Sequence, residues 1–106
     1  MNKFLGVGRL SRNPELLYTD NGIAYCYFDV ALNTRDDVDY ITVKAWRDRA
    51  IAAARYLEKG RMIEFEGTLK ADLVDNEKKI YVNAYNIGFL DSKKDSQEEK
   101  EISQKQ

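Results

Sequence analysis

Residues 40–60 read YITVKAWRDRAIAAARYLEKG, and the period of the hydrophobic pattern changes within this stretch. From residue 40 to residue 46, apolar and polar side chains alternate. Successive side chains of a strand point to opposite faces, so the alternation predicts a strand with one buried and one outward face. The buried face is predicted to hold Ile41, Val43 and Ala45, and the outward face Tyr40, Thr42, Lys44 and Trp46.

The alanine-rich segment directly after this strand predicts a helix. Alanine has the highest helix propensity, and Ile51, Ala54 and Leu57 recur at a helical spacing that gives them one shared face. We expect Asp48 to cap the helix at its N-terminus. We expect Gly60 to end it, as glycine does just past a helix C-terminus.

Strand patterns lie on both sides of this strand and helix. They cover Asn2 to Leu10, Ile23 to Asn33, Met62 to Leu73 and Ile80 to Leu90. In the second of these patterns the alternation is the most regular. It predicts an inner face of Ala24, Cys26, Phe28, Val30 and Leu32 and an outer face of Tyr25, Tyr27 and Asp29.

The order of these elements indicates the fold class. Three strands, a helix and two closing strands match an all-β protein with one helix, the five-stranded OB-fold barrel, whose helix lies between strands three and four. A five-stranded sandwich is the alternative, and the single helix after the third strand favours the barrel. Residues 1–91 are expected to form this one domain, and the polar residues 92–106 are expected to be a disordered tail.

The composition limits where in the cell the protein is expected and which kinds of catalysis and binding it can perform. No apolar run approaches the roughly 20 residues of a membrane span, and the N-terminus has no signal-peptide pattern, so we expect a cytoplasmic protein with no membrane contact. The chain has no histidine and one cysteine. Histidine-dependent catalysis and an intrachain disulfide are therefore excluded, and we expect no enzyme, no cofactor and no metal. Asp36, Asp37 and Asp39 are interpreted as a solvated turn, with a divalent-cation site as the alternative.

Several separated blocks of sequence occur in the order and spacing of one known family. They are Asn2–Leu10, Arg12–Leu16, Tyr18–Gly22, Tyr56–Gly60 and Glu66–Leu69, together with Ala24, Phe28, Ala31 and Asn33. Over roughly residues 1–91 the chain resembles bacterial and phage-type single-stranded DNA-binding proteins. The resemblance implies an OB fold, a homo-oligomer (commonly a tetramer, with a dimer as the alternative), and sequence-tolerant binding of single-stranded DNA during replication, recombination and repair.

The chain departs from the family pattern at four places. The loop at 36–39 is short, Leu17 stands where an arginine is usual, and residues 71–74 replace basic and aromatic residues of the family. The acidic C-terminal tip that recruits partner enzymes in the family is absent from residues 103–106. The first three departures bear on the affinity and the site size that the resemblance implies, and the fourth bears on the recruitment of partners.

A sequence-tolerant binder of single strands needs aromatic rings for the bases and cations for the phosphates. The resemblance implies that Tyr40 and Trp46 stack on bases, and Thr42 and Lys44 share their outward face. Tyr25 and Tyr27 are further candidates for stacking on bases, and Tyr81 is expected to flank this surface. The alternative for these aromatic residues is packing at a barrel end or a subunit interface. The expected phosphate contacts are Lys3, Arg9, Arg12, Arg35, Lys44, Arg47, Lys70 and Lys79.

Two functions are consistent with these residues. The first is sequence-tolerant binding and protection of single-stranded DNA. The alternative is a primosome-type OB interaction protein that docks replication partners and binds DNA secondarily. A net charge of −1 is low for a nucleic-acid binder, so the first function requires that the basic residues be gathered on one surface.

Overall fold

Six strands and one helix make up residues 1–90, the part of the chain that this computed structural model describes. In chain order they are β1 (Phe4–Leu10), β2 (Glu15–Tyr18), β3 (Ala24–Asn33), β4 (Val38–Trp46), α1 (Arg47–Tyr56), β5 (Met62–Val74) and β6 (Glu77–Phe89). The tail predicted at residues 92–106 lies outside the described residues. Within residues 1–90, no helix has the length and apolar character that crossing a bilayer requires.

The strands close into a barrel because β1 pairs with two other strands. It runs antiparallel to β5 from Phe4 to Arg9 and antiparallel to β3 at Arg9 and Leu10. β5 pairs with β6, β6 runs parallel to β4, and β4 pairs with β3, which completes the hydrogen-bonded ring. This ring of five strands, with α1 between its third and fourth members, confirms the predicted OB-fold barrel.

Alternate residues of the strands fill the barrel interior, as their period of two predicts. Phe28, Val30, Val43, Ile63 and Val82 are fully buried there. Full burial of side chains of this size stabilises the fold by about 1.5–3 kcal/mol each. The interior therefore supplies the rigid support on which the outward residues of the same strands are held.

The backbones of β1 and β3 approach each other closely where the barrel closes. A Cβ atom at Gly8 would lie 2.2 Å from the carbonyl oxygen of Ala31 and 2.8 Å from Cγ1 of Val30. Both distances are shorter than any van der Waals contact allows. The closure therefore requires a residue without a side chain at position 8.

The helix covers one end of the barrel with its smallest side chains. Ala50 and Ala53 are buried against β3 and β4, and Leu57 is buried just after the helix ends. The prediction that Ile51 shares the buried face is wrong, because its side chain is 37% exposed. The helix packs on the barrel through alanines, whose short side chains let the two backbones come close.

The two ends of α1 also differ from the prediction. The helix begins at Arg47, directly after β4, and its N-cap residue is Trp46, with no side-chain cap hydrogen bond. Asp48 instead lies in the first turn, where its charge is favourable to the helix dipole. The C-cap residue is Leu57, and Gly60, with a φ of 93°, belongs to the turn that leads to β5. Arg47 has a φ of 57°, so this one residue reverses the chain in a left-handed conformation.

β5 and β6 extend beyond the barrel as a two-stranded ribbon. All residues from 69 to 80 are exposed, in contrast to Ile63 and Phe65, which are buried in the barrel part of β5. The ribbon turns at Asp75 and Asn76, whose positive φ values of 53° and 66° are those of a two-residue hairpin. The last strand pattern was predicted to start at Ile80, whereas β6 begins three residues earlier, at Glu77.

The short strand β2 was not predicted from the sequence. Its four residues pair antiparallel with residues 24–27 of β3 and continue the sheet outside the barrel ring. Its four residues show no alternation of buried and exposed positions, so no period of two marks it in the sequence. The strand places the preceding turn, which carries Arg12, beside the outer face of β3.

Candidate nucleic-acid interface

The outward side chains of β3, β4 and β6 form one continuous surface, which we call the platform. Tyr25 lies opposite Trp46, Tyr27 opposite Lys44, Asp29 opposite Thr42, and Tyr81 beside Thr42. Side chains directly opposite each other on neighbouring strands are in contact range. The register of the barrel therefore gathers aromatic, basic and hydroxyl groups of three strands in one place.

Lys44 lies at the centre of the platform, among three aromatic rings. Its ammonium nitrogen is 4.7 Å from the ring centroid of Trp46, 4.9 Å from that of Tyr25 and 5.5 Å from that of Tyr81. Each distance is in the range of a cation–π interaction. The rings of Tyr25 and Trp46 also contact each other, with centroids 5.4 Å apart. The cluster holds a positive charge within reach of ring faces that suit base stacking.

A depression lies in the platform beside this cluster. Its volume is about 360 Å³, within the range of sites that hold small organic ligands. Its lining consists of Tyr25, Tyr27, Thr42, Lys44, Lys79, Ile80 and Tyr81. Three tyrosine rings and two ammonium groups match the needs of a nucleotide, which presents a flat base and a negative phosphate.

Asp29 connects the platform to the turn between β1 and β2. Its carboxylate accepts a hydrogen bond of 2.7 Å from the Thr42 hydroxyl and lies 3.2 Å from Nε of Arg12. The guanidinium carbon of Arg12 lies 5.3 Å from the ring centroid of Tyr27. The backbone amide of Ser11 donates to the Asp29 carbonyl oxygen over 2.9 Å. These contacts hold Arg12 over the Tyr27 ring.

The surroundings of Tyr81, on the platform, change the pKa of its hydroxyl group. Burial raises the pKa of its hydroxyl group, and the hydrogen bond with Asp72 and the charge of that carboxylate raise the pKa further. The hydroxyl therefore stays protonated around neutral pH, and it donates its single hydrogen to the Asp72 carboxylate. Asp72 belongs to β5, so the ribbon contributes an acidic group to this edge of the platform.

Tyr40 lies at the other end of β4 from Trp46. Its side chain is 65% exposed, and Ala31 is its partner across β3. Trp46 lies six positions after Tyr40 along the strand, which corresponds to about 20 Å. The predicted stacking residues Tyr40 and Trp46 therefore mark the two ends of the platform, with Thr42 and Lys44 between them.

The predicted phosphate contacts fall into two groups. Arg12, Lys44 and Lys79 border the platform or its depression, and Lys70 lies opposite Tyr81 across β5 and β6. Lys79 also contacts Glu77 over 3.1 Å, an ion pair between exposed side chains. Arg35 lies in the turn before β4, and Arg47 follows Trp46 directly. The register brings the first four together, and no contact in the structure joins Arg35 or Arg47 to them.

Lys3 and Arg9 are engaged away from the platform. Lys3 forms a 2.8 Å ion pair with Glu66, which raises the pKa of the lysine and lowers that of the carboxylate. Arg9 donates from Nη1 to the carbonyl oxygen of Gly60 over 2.8 Å. Glu66 lines a second depression, of about 310 Å³, on the outer face of β1, β5 and β6, together with Leu5, Gly6, Val7, Glu64, Phe65, Asn86 and Gly88. Its two carboxylates make this face unsuitable for a polyanion.

The predicted site omits Asp29 and Asp72, and it did not predict the neighbours of Tyr25. The alternation of β3 places Tyr25 and Asp29 outward, but only the register shows that they lie beside Trp46 and Thr42. Asp72 contacts Tyr81 because the ribbon pairs residue 72 with residue 79. A strand pattern reports which face a residue occupies and not what lies opposite, so the sequence carried no signal for these contacts.

Comparisons with known proteins agree on one family. The family model described as single-strand binding protein family matches residues 1–101. A single-stranded DNA-binding protein of Halalkalibacterium halodurans is 33% identical over 103 residues, and single-stranded DNA-binding protein A of Bacillus subtilis is 31% identical over 105 residues. These alignments cover 86% and 88% of this chain and 61% of each relative. The chain therefore spans about three fifths of the length of these curated relatives.

The structural comparison gives the same result. The crystal structure of the wild-type single-stranded DNA-binding protein from Thermus aquaticus has a TM-score of 0.76 and 30% sequence identity to this chain. The match covers 86% of this chain and 41% of that one. The similarity thus extends over most of the described barrel and less than half of the larger protein.

Proposed function

The chain belongs to the single-strand binding protein family, and we propose that it binds single-stranded DNA on the platform. The observation that carries the proposal is the cluster of three aromatic rings around the Lys44 ammonium group. Stacked bases require ring faces, and the backbone between them requires cations. The proposal assigns the chain a sequence-tolerant binding role in replication, recombination and repair in the cytoplasm, and no catalytic role.

Binding on this platform requires Lys44 to exchange partners. In the free protein its ammonium group is attracted to the rings of Tyr25, Trp46 and Tyr81. A base that stacks on one of these rings takes the place of the cation, and the phosphate that follows the base attracts the ammonium group. The Lys44 ammonium group thus has favourable electrostatic partners in the free protein and in the complex with DNA. Moving it away from the ring faces therefore costs little free energy.

We expect the affinity for oligo(dT) to fall as the salt concentration rises. The slope of log affinity against log salt concentration is set by the cations that have no carboxylate partner. Within residues 1–90, Lys3, Arg12 and Lys79 are ion-paired, whereas Arg35, Lys44, Arg47 and Lys70 are not. Each neutralised phosphate contributes about −0.7 to the log–log slope on single strands, so four cations give about −3. Titration of labelled oligo(dT) by fluorescence anisotropy at several salt concentrations measures this slope.

Two controls define this experiment. A duplex of the same length should bind much more weakly, because its bases are not free to stack. Lengthening the oligo(dT) should raise the affinity until the platform is filled. Affinity that is weak at low salt and independent of length would contradict the proposal, and it would favour the primosome-type alternative in which partner proteins are the main ligands.

We also propose that the protein is a homo-oligomer in which a second copy covers the outer face of β1. Leu5 and Val7 are 69% and 54% exposed on this face. Among residues 1–90, no strand pairs with the edge of β1 opposite β5 before Arg9, because pairing with β3 involves Arg9 and Leu10. An open strand edge beside exposed apolar side chains favours association with another strand.

Native mass spectrometry tests this assembly. We expect a tetramer, or a dimer if only the β1 face is used, and Val7→Lys should shift the distribution toward monomers because it buries a charge in the contact. Leu73→Lys is the matched control, since Leu73 is 76% exposed on the ribbon and away from β1. A monomeric wild type at micromolar concentration would contradict the assembly.

A further inference from the structure

Asp29 is an acidic group in the middle of a surface proposed to bind a polyanion. It lies on β3 two residues after Tyr27 and opposite Thr42, and its side chain is 34% exposed. A phosphate is repelled from a carboxylate, because the two charges have the same sign. The Arg12 guanidinium compensates part of this charge, and the carboxylate lone pairs that remain free favour a base edge with hydrogen-bond donors over a phosphate.

The carboxylate is held in a fixed position. One oxygen accepts the Thr42 hydroxyl over 2.7 Å, and the other lies 3.2 Å from Nε of Arg12. The Asp29 carbonyl oxygen accepts from the backbone amide and the hydroxyl group of Ser11, over 2.9 and 3.2 Å. A carboxylate offers about four lone-pair positions, and these two side-chain contacts use two of them. Asp29 therefore retains the capacity to accept hydrogen bonds from a ligand.

The edges of the four bases differ in what they offer to such an acceptor. Cytosine and adenine carry an exocyclic amino group, as does guanine, and aspartate is a known acceptor for the amino group of cytosine. Thymine carries the carbonyl oxygen O4 in the position of the cytosine amino group, and its one ring donor, N3–H, lies between two carbonyl oxygens that a carboxylate repels. Tyr27 and Lys44 lie two residues from Asp29 and Thr42 on the same face, so a base bound at the Lys44 cluster lies beside the Asp29 carboxylate.

We propose that Asp29 makes this platform prefer bases with an exocyclic amino group over thymine. Arg12 supports the preference, because the ion pair keeps its guanidinium donors beside the carboxylate. A cytosine edge, which carries a donor beside an acceptor, matches this arrangement. The inference rests on the proposed function, since it concerns the base selectivity of the same platform.

The test compares oligo(dC) with oligo(dT) of equal length by fluorescence anisotropy of the labelled oligonucleotide, slightly above neutral pH. Both are pyrimidine strands, so they differ mainly in the edge that they present. The wild type should bind oligo(dC) about fivefold more tightly, the lower end of the discrimination that one base contact gives. Asp29→Asn should bring the two affinities to within about twofold of each other, because an amide offers both a donor and an acceptor.

Asp72→Asn is the matched control, because Asp72 is a second carboxylate at the edge of the platform, bonded to Tyr81. Removing its charge should strengthen binding of both oligonucleotides alike and leave their ratio unchanged. If Asp29→Asn also changes both affinities by one factor, Asp29 affects only the overall charge and the inference is overturned. A wild type that binds oligo(dT) as tightly as oligo(dC) overturns it as well.

Two further outcomes are covered by the same design. Should Asp29→Asn fail to fold, as judged by its circular dichroism, Asp29→Thr keeps a strand-forming residue at this position and should likewise lose the preference. If the wild type binds neither oligonucleotide at low salt, the proposed function itself fails, which is distinct from binding both equally.

Discussion

Trp46→Ala is expected to weaken oligo(dT) binding by about 1–3 kcal/mol, the usual loss for one stacked base. The indole lies at the end of β4 on the outward face, in contact with Tyr25 and within 4.7 Å of the Lys44 ammonium group. Its ring is only partly buried, so a base has access to it. Because Trp46 is the single tryptophan, quenching of the wild-type fluorescence by oligo(dT) reports on this ring alone.

Two variants separate stacking from a structural role. Trp46→Phe keeps an aromatic face and should retain most of the affinity. Tyr56→Ala removes a more exposed ring on α1, beside Phe89 and away from the platform, and should leave binding unchanged. If Trp46→Ala melts at a lower temperature but binds normally, and the wild-type fluorescence never responds to DNA, Trp46 supports the barrel and does not bind bases.

Gly8→Ala is expected to destabilise the barrel by about 3 kcal/mol or more, at or beyond the upper end of overpacking effects. The added methyl group would lie 2.2 Å from the carbonyl oxygen of Ala31, and backbone atoms cannot move aside as a side chain does. For a domain of this size, each kcal/mol lowers Tm by about 4–8 °C. Thermal unfolding followed by far-ultraviolet circular dichroism should therefore show a fall in Tm of more than about 10 °C.

Gly88→Ala provides the comparison for this substitution. A Cβ atom there would meet Cγ of the Glu64 side chain at 3.0 Å, and that side chain is exposed and free to rotate away. We expect a change in stability of less than about 1 kcal/mol, since an alanine also restricts the unfolded chain. Equal stability of Gly8→Ala and the wild type would mean that β1 and β3 do not approach as closely as described.

The sequence predicted the faces of the strands better than their neighbours. Alternation correctly separated Phe28 and Val43 from Tyr27 and Lys44, because every second side chain of a strand points the same way. It did not predict that Asp29 lies opposite Thr42, since register depends on how distant segments align around the barrel. The helix shows a similar limit. The hydrophobic pattern predicted that Ile51 lies on the apolar face of the helix. The residues that are buried are the smaller Ala50 and Ala53, because α1 packs closely on the barrel.

The sequence predicted which kinds of residue form the candidate site, but it did not predict which of them contact each other. The aromatic residues of β4 and β6 do lie on one surface with Lys44, and their contacts with DNA stay predictions. The cations were harder to assign, because a lysine in a sequence carries no sign of its partner. Lys3 has Glu66 within 2.8 Å, and the two residues are 63 positions apart in the chain. Only the pairing of β1 with β5 makes that contact.

The direct junction of β4 and α1 at Arg47 restricts where residues can be inserted into or deleted from this chain. β4 ends at Trp46 and α1 begins at the next residue, so no loop separates a platform strand from the helix. An inserted residue there would rotate the helix by about 100° relative to the strand, because an α-helix has 3.6 residues per turn. Ala50 and Ala53 would leave the barrel end. Insertions and deletions should therefore accumulate in the turn at 34–37 or at the ribbon tip, and positions 46 and 47 should stay adjacent across related chains.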